Sequence, residues 1–374
     1  MAQLRLPYQV LAIATALALA ACDHTDPFTV PATSVDTTRL AGDPARLTYS
    51  VADDRTASWL PDGSGFVYST ERVDRADHDR CLAVIPATGG AIRQMHCEST
   101  VQSDTATDVY EWPAVAPDGR AAYLKAVSRV GRVKEFTGWL ALGRLGAPAE
   151  SRNILPLPYL SGTGRFHIKI GHLQWLSDTR LAWVGQRVFW EGSTFLPDTF
   201  VTGLDVVVAD LAGDVPSLRT IPGTDWASSV SAGETPDVIY YTLGGDPNVY
   251  RHDLASGART VAWSSGGEIV REAQVRAGRL VAVVGRSVLF RFEPVQSESW
   301  VQRDEGGDLV IVDLASGATQ RIAREAELFR RPVLSPDGKR VVVEVSPFAE
   351  ARTEVNSGFN APNHRPDLWL YQLP

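Results

Sequence analysis

Cysteine is scarce: Cys22, Cys81 and Cys97 are the three among 374 residues. No two of them form Cys-x-x-Cys, which excludes the common redox and zinc-ribbon pairs. A long apolar run is also missing. The most hydrophobic stretch, Val10–Ala21, is 12 residues long, whereas a membrane-spanning helix needs about 20. There is no excess of positive charge. The formal net charge is −8, so a phosphate-binding basic face is not expected and nucleic acid is excluded as a partner. No Gly-x-Ser-x-Gly elbow occurs, which excludes a serine-hydrolase domain of the usual α/β type. His-Glu-x-x-His is absent, and Ser161–Gly164 (Ser-Gly-Thr-Gly) opens no helix, so it reads as a loop rather than a phosphate cradle. Amphipathic helices of more than two turns are missing too; Arg324–Phe329 is the best short candidate. No catalytic residue, cofactor or resident metal is expected from these patterns.

Arg5 is the only charge ahead of the apolar run. A short apolar core behind a positive residue is a signal peptide. It ends in Leu19-Ala20-Ala21-Cys22, which resembles a bacterial lipobox. That resemblance implies cleavage before Cys22 and a lipid on its sulfur. Residues 1–21 are then an address. Residues 22–44, polar and carrying Pro27, Pro31 and Pro44, form a tether with a reach of roughly 25 Å. The expected location is the cell envelope, extracytoplasmic and lipid-anchored. Asp23 follows the lipidated position; in enteric bacteria an aspartate there favours retention at the inner membrane.

If Cys22 is lipidated, Cys81 and Cys97 remain as a pair. Pro86-Ala87-Thr88-Gly89-Gly90 lies between them, and their midpoint falls at Gly89. A hairpin centred there sets the two cysteines opposite each other, about 4.5–5.5 Å apart at Cβ. A disulfide is the expected outcome in an oxidising compartment.

What the sequence has in abundance is repetition. Leu60-Pro61-Asp62-Gly63, Ala116-Pro117-Asp118-Gly119 and Ser335-Pro336-Asp337-Gly338 share one phrase. Asp-Gly between apolar runs predicts a type I′ hairpin turn. Asp253–Ala258 recurs letter for letter as Asp313–Ala318, and Asp210-Leu211-Ala212-Gly213 is a worn copy. The spacing gives six units of about 55 residues in 45–374, each two hairpins in series. Leu280–Val284 is apolar throughout, as strands buried on both faces are. The expected fold is all-β: a six-bladed propeller of four-stranded antiparallel blades. The sixth unit supplies only three strands, so a segment near Arg46–Ser50 is expected to close the ring as its fourth.

Trp59-Leu60-Pro61-Asp62-Gly63 with Phe66-Val67-Tyr68-Ser69 resembles the repeat of TolB-type, WD-repeat-like bacterial propellers. Val333–Gly338, Pro113–Gly119 and Leu173–Asp178 match it less fully. The likeness speaks for fold more than for task.

Three clusters merit weighing. Asp74, Asp77, His78 and Asp79 read as a solvated loop, interleaved with arginines. Arg165, His167, Lys169 and His172 form a basic stretch that reads as a solvated strand and is a candidate for an acidic ligand. Trp59, Trp112, Trp175, Trp190 and Trp226 fall at or near inner strands. Long insertions at Val127–Phe136, Gly185–Thr202, Arg286–Gly307 and Pro347–Pro366 carry Trp190, Phe195, Phe290 and Trp300. Long loops in a compact fold often hold function. The expectation is a monomeric, non-catalytic envelope lipoprotein whose rim binds a protein or other envelope ligand, using Trp190, Phe195, Phe290, Trp300, His167 and His172. The alternative is a propeller enzyme, a lyase or glycan hydrolase, with its site at the channel. Paired buried carboxylates or clustered histidines there would favour the enzyme.

Overall fold

The computed structural model describes residues 44–48, 54–71, 80–89, 92–96, 106–129, 135–157, 159–161, 164–189, 200–213, 215–285, 288–292, 299–303, 306–324, 327–347 and 367–373. It is a six-bladed β-propeller. The chain begins with β1 (Ala45–Arg46). Blade 1 is β2 (Asp54–Trp59), β3 (Gly65–Glu71), β4 (Arg80–Pro86) and β5 (Gln94–His96). Blade 2 is β6 (Ala106–Val115), β7 (Arg120–Arg129), β8 (Glu135–Arg144) and β9 (Ala147–Leu157). A short β10 (Tyr159–Ser161) leads into blade 3, which is β11 (Gly164–Trp175), β12 (Arg180–Phe189), β13 (Phe200–Asp210) and β14 (Ser217–Thr220). Blade 4 is β15 (Ala227–Ala232), β16 (Val238–Leu243), β17 (Asn248–Asp253) and β18 (Arg259–Ser264).

Blade 5 starts with β19 (Val270–Arg276) and β20 (Arg279–Val284). A separate ribbon of β21 (Val288–Phe292) and β22 (Ser299–Arg303) follows before β23 (Asp308–Asp313) and β24 (Thr319–Ile322) complete the sheet. Blade 6 is β25 (Glu327–Leu334), β26 (Arg340–Pro347) and β27 (Asp367–Gln372), with β1 as its outer strand.

The first strands β2, β6, β11, β15, β19 and β25 each touch the next, and β25 touches β2. They line the axis. One apolar core fills each of the six seams between sheets. Val281, Val283 and Val343 belong to the seam of blades 5 and 6, for example, and Phe66, Tyr68 and Leu370 to that of blades 6 and 1. Leu280–Val284 is buried along its whole length because β20 has a neighbouring blade on each face.

The ring closes as expected. Ala45 pairs with Leu370 and Arg46 with Trp369. The Leu47 amide donates to the Leu368 carbonyl at 2.8 Å, and the Leu368 amide donates to Thr48 Oγ1 at 2.9 Å. The pairing covers part of the outer edge of β27.

The turns differ from expectation. In the three Pro-Asp-Gly copies only glycine has positive φ: +69° at Gly63, +82° at Gly119 and +68° at Gly338. Each glycine amide donates three residues back, to Leu60, Ala116 and Ser335, at 2.9 Å. The aspartate does another task. Asp62, Asp118 and Asp337 accept the amide two residues on, at 3.0, 3.0 and 3.1 Å, as Asx-turns do. The two-residue turn with both φ positive occurs instead at Ala277 (+49°) and Gly278 (+75°), between the paired Arg276 and Arg279.

The identical phrases fold identically. Asp253 accepts the Ser256 amide at 2.8 Å, and Asp313 accepts that of Ser316 at 2.8 Å. The helix considered at Arg324–Phe329 is not there, since Glu327–Phe329 begins β25. Two insertions are shorter than expected, because β7 and β8 extend to Arg129 and from Glu135, and β12 and β13 to Phe189 and from Phe200. The acidic cluster at Asp74–Asp79 lies outside the described residues.

Candidate functional site at the inner strands

Four inner strands carry a bulge at the same place. The ladder slips between Arg55 and Ser58 in blade 1, Glu111 and Ala114 in blade 2, Gly171 and Gln174 in blade 3, and Arg330 and Val333 in blade 6. At each bulge one non-glycine residue takes positive φ: Thr56 (54°), Trp112 (55°), His172 (57°) and Arg331 (45°). Such backbone costs about 1–3 kcal/mol per residue and persists only where its surroundings hold it.

What holds it is a belt of charged and aromatic groups. Glu344 on β26 is the anchor. Its Oε1 accepts the Thr56 amide at 2.6 Å. Arg331 Nη1 donates to both oxygens, at 3.1 and 2.8 Å. Glu272 on β19 accepts the Arg331 amide and lies 3.8 Å from His172 Nε2. The Arg331 guanidinium sits 4.9 Å above the Trp112 ring, and the His172 ring centre is 5.1 Å from Trp112. The Trp112 amide donates to Thr56 Oγ1 at 3.2 Å. Nearby, Arg80 Nη1 donates to Glu111 Oε1 at 2.9 Å. Blades 1, 2, 3, 5 and 6 all contribute.

Burial and charge fix the protonation states. Burial pushes the His172 imidazole below its ordinary pKa, and the Arg331 charge adds to this, although Glu272 and Glu344 oppose it. Burial alone would raise the Glu272 carboxyl; the charges of His172, Arg331 and Arg330 outweigh it and hold it low. Burial opposes the Arg331 charge, yet Glu344 and Glu272 raise its pKa. Arg330 goes down through burial and then repulsion from Arg331. At neutral pH the belt therefore holds an ionised Glu272 and a charged Arg331 beside a neutral imidazole.

His172 thus differs from the expected solvated strand: its side chain is 15% exposed. His167 lies on β11 opposite Gln186, five residues before His172 and on the other side of a register shift. Phe290 and Trp300 lie on the β21–β22 ribbon, where Phe290 pairs with Val301 and Trp300 with Arg291. Trp190, Phe195, Cys22 and Cys97 lie outside the described residues. Trp59, Trp112 and Trp175 are on inner strands, whereas Trp226 precedes β15 and is 54% exposed. Arg331, Glu272 and Glu344 were missed from sequence. Arg331 alone has a signal, and it is positional: Thr56, Trp112, His172 and Arg331 each stand six residues before the turn aspartate. Among the described residues, no group of three His, Cys, Asp or Glu is placed to hold a metal ion.

The belt residues Thr56, Trp112, His172 and Arg331 each stand three residues before the end of their inner strand, at Trp59, Val115, Trp175 and Leu334. Inner strands start where second strands finish, as in Asp54 opposite Thr70, Ala106 opposite Arg129 and Glu327 opposite Pro347. The long connections after β3, β7, β12, β20 and β26 leave from that end.

Solved structures similar to this chain include XC5397 from Xanthomonas campestris, a gluconolactonase, at 13% identity and a TM-score of 0.52, covering 89% of this chain and 90% of that one. TolB from Acinetobacter baumannii matches at 13% identity and 0.43, covering 84% of this chain. An oligogalacturonate lyase in complex with manganese matches at 12% and 0.43, covering 88% and 93%. The chain spans 62% of the TolB chain. At these identities the likeness is one of fold. No family model matches the chain, and no curated protein matches its sequence.

Proposed function

We propose that this protein is a non-catalytic recognition propeller, held at a bacterial envelope membrane by a lipid on Cys22, that binds a protein or other envelope ligand on the face where the long connections leave. The observation that carries this is the β21–β22 ribbon. It interrupts blade 5 on that face, brings Phe290 and Trp300 into one hairpin and, among the described residues, forms a two-stranded sheet of its own. A two-stranded ribbon gains little stability alone in water, so its retention in the sequence argues for a contact surface. Tryptophan and arginine are the residues most enriched at binding hot spots, and the ribbon carries Arg291 opposite Trp300.

Replacing 286–307 by a short Gly-Ser linker tests this. The propeller should keep its cooperative melting and lose the envelope component that crosslinks to the intact protein; recovery of the same component would contradict the reading. For the anchor, metabolic labelling with an alkyne fatty acid should mark the wild type and not Cys22→Ala. Equal labelling of both would refute a lipid on Cys22.

The Cys81–Cys97 bridge belongs to the same extracytoplasmic reading. The β4–β5 ladder supports it, setting Leu82 against His96, one residue in from each cysteine of the proposed pair. Two iodoacetamide adducts on unreduced mature protein would count against it.

One observation favours the channel-enzyme alternative: Glu272, Glu344 and His172 meet at the inner strands. Both carboxylates are already engaged by Arg331, which suits a fixed scaffold better than a proton-transferring pair. Loss of a measured hydrolase or lyase activity in Glu272→Gln would establish the alternative.

A further inference from the structure

At the opposite end of the axis all six inner strands converge on a cavity of about 280 Å³, lined among others by Trp59, Gln174, Trp175, Asp178, Arg276 and Pro336. Its walls are rigid. The Trp59 indole donates to the Val333 carbonyl at 2.9 Å and the Trp175 indole to that of Ala114 at 3.0 Å. Arg340 and Arg120 sit over these two rings, at 4.7 and 5.2 Å.

One row of side chains on β19 explains why a cation is left free there. Glu272, Gln274 and Arg276 alternate along the strand and so share a face. Glu272 accepts the amide of Arg331 and Gln274 that of Leu334, both on blade 6. The third member, Arg276, is a donor only and cannot take a backbone amide as the other two do; it lines the cavity with Pro336. Arg276 and the Gln174 amide have no hydrogen-bond or ion-pair partner among the described residues. Partial burial holds the Arg276 pKa below its ordinary value, yet arginine stays charged at neutral pH.

We infer that this cavity is a binding site for a carboxylate carried on a flat or apolar body, with Arg276 taking the carboxylate, Gln174 a second polar atom, and the Trp59–Trp175 walls the apolar part. The Arg276 fork matches a carboxylate, and the Asp178 charge in the same lining disfavours more highly charged anions. A small organic acid and the C-terminus of a peptide both present this chemistry. The site lies at the far end of the axis from the proposed recognition face and stands or falls separately from it.

Titrating the mature protein with benzoate, its neutral counterpart benzamide, the peptide Gly-Gly-Phe and its C-terminal amide, followed by tryptophan fluorescence and calorimetry, tests the assignment. Benzoate or the free-acid peptide should bind at least about tenfold more tightly than its neutral counterpart. Binding by benzoate alone points to a small acid, and binding by the peptide to a chain terminus. Arg276→Met should weaken binding by about tenfold or more, and Gln174→Ala by less. Asp178→Asn should tighten it about two- to threefold, because a repelling charge goes. Arg276 and Asp178 are exposed at the mouth, so melting temperatures should not move; should Arg276→Met fail to fold, Gln174→Ala and Asp178→Asn carry the test. Equal affinity for acid and neutral forms, unchanged affinity in Arg276→Met, or no binding of either acid at about 20 mM would overturn it.

Discussion

Arg331 Nη1 lies 2.8 Å from Glu344 Oε2, and the other oxygen of the same carboxylate takes the Thr56 amide of blade 1 at 2.6 Å. One buried carboxylate thereby ties the last blade to the first. Glu344 is 1% exposed, so removing it strands the Arg331 charge. Glu344→Ala should destabilise the fold by about 3–5 kcal/mol, whereas replacing both partners by apolar residues of similar volume should recover most of that loss. Denaturant titration of the single and double variants reads both values; equal losses would contradict the pairing.

The closing strand rests on Leu47, which is fully buried in the blade 6–blade 1 core. Leu47→Ala should cost about 2–5 kcal/mol. Thr48→Val should cost about 1–2 kcal/mol, since the Leu368 amide loses its acceptor. Hydrogen exchange should show Leu368 opening more readily in both. Unchanged protection would mean the strand does not close the ring.

Ala277 holds φ of +49° in the tight turn of blade 5. That conformation costs an alanine about 1 kcal/mol and a glycine little. Ala277→Gly should therefore stabilise the protein, by up to about 0.5 kcal/mol after the extra freedom of the unfolded glycine is counted. A lower denaturation midpoint in this variant would be the wrong sign.

The lowered pKa of His172 sets a pH dependence. Burial makes the folded protein bind its proton less readily than the unfolded chain does. Below the unfolded value of about 6.5 the unfolded state holds more protons, so stability is full above that pH and declines as pH falls toward the folded value. Trp112, Glu272, Arg330, Arg331 and Glu344 surround the ring, and the carboxylates limit the size of the effect. His252, also lowered by burial, contributes in the same direction. His172→Gln should flatten the decline between about pH 6.5 and 5. An unchanged slope would remove His172 as its source.

Much of the architecture was legible because propeller turns are local. Asp253–Ala258 and Asp313–Ala318 make the side-chain hydrogen bonds of their turns within six letters. The turn type was misread because the Asp-Gly pair serves two geometries. In Asp62–Gly63 the aspartate accepts an amide and only glycine adopts positive φ, a distinction that four letters do not encode. The belt was illegible for a different reason. Thr56, Trp112, His172 and Arg331 share a backbone conformation rather than a chemistry, and their partners Glu272 and Glu344 come from other strands, up to 288 residues away. His172 read as solvated because its neighbours Arg165, His167 and Lys169 are polar, while the groups that bury it lie on blades 2, 5 and 6.

The most direct test of the recognition reading is in-cell photocrosslinking. A photoreactive residue replaces Trp300 on the ribbon and, as control, Val215, which is 81% exposed on the turn before β14. A discrete adduct from position 300 and none from position 215 is the result expected of a ligand held on the long-connection face. No adduct at 300, or the same adducts from both positions, would contradict it.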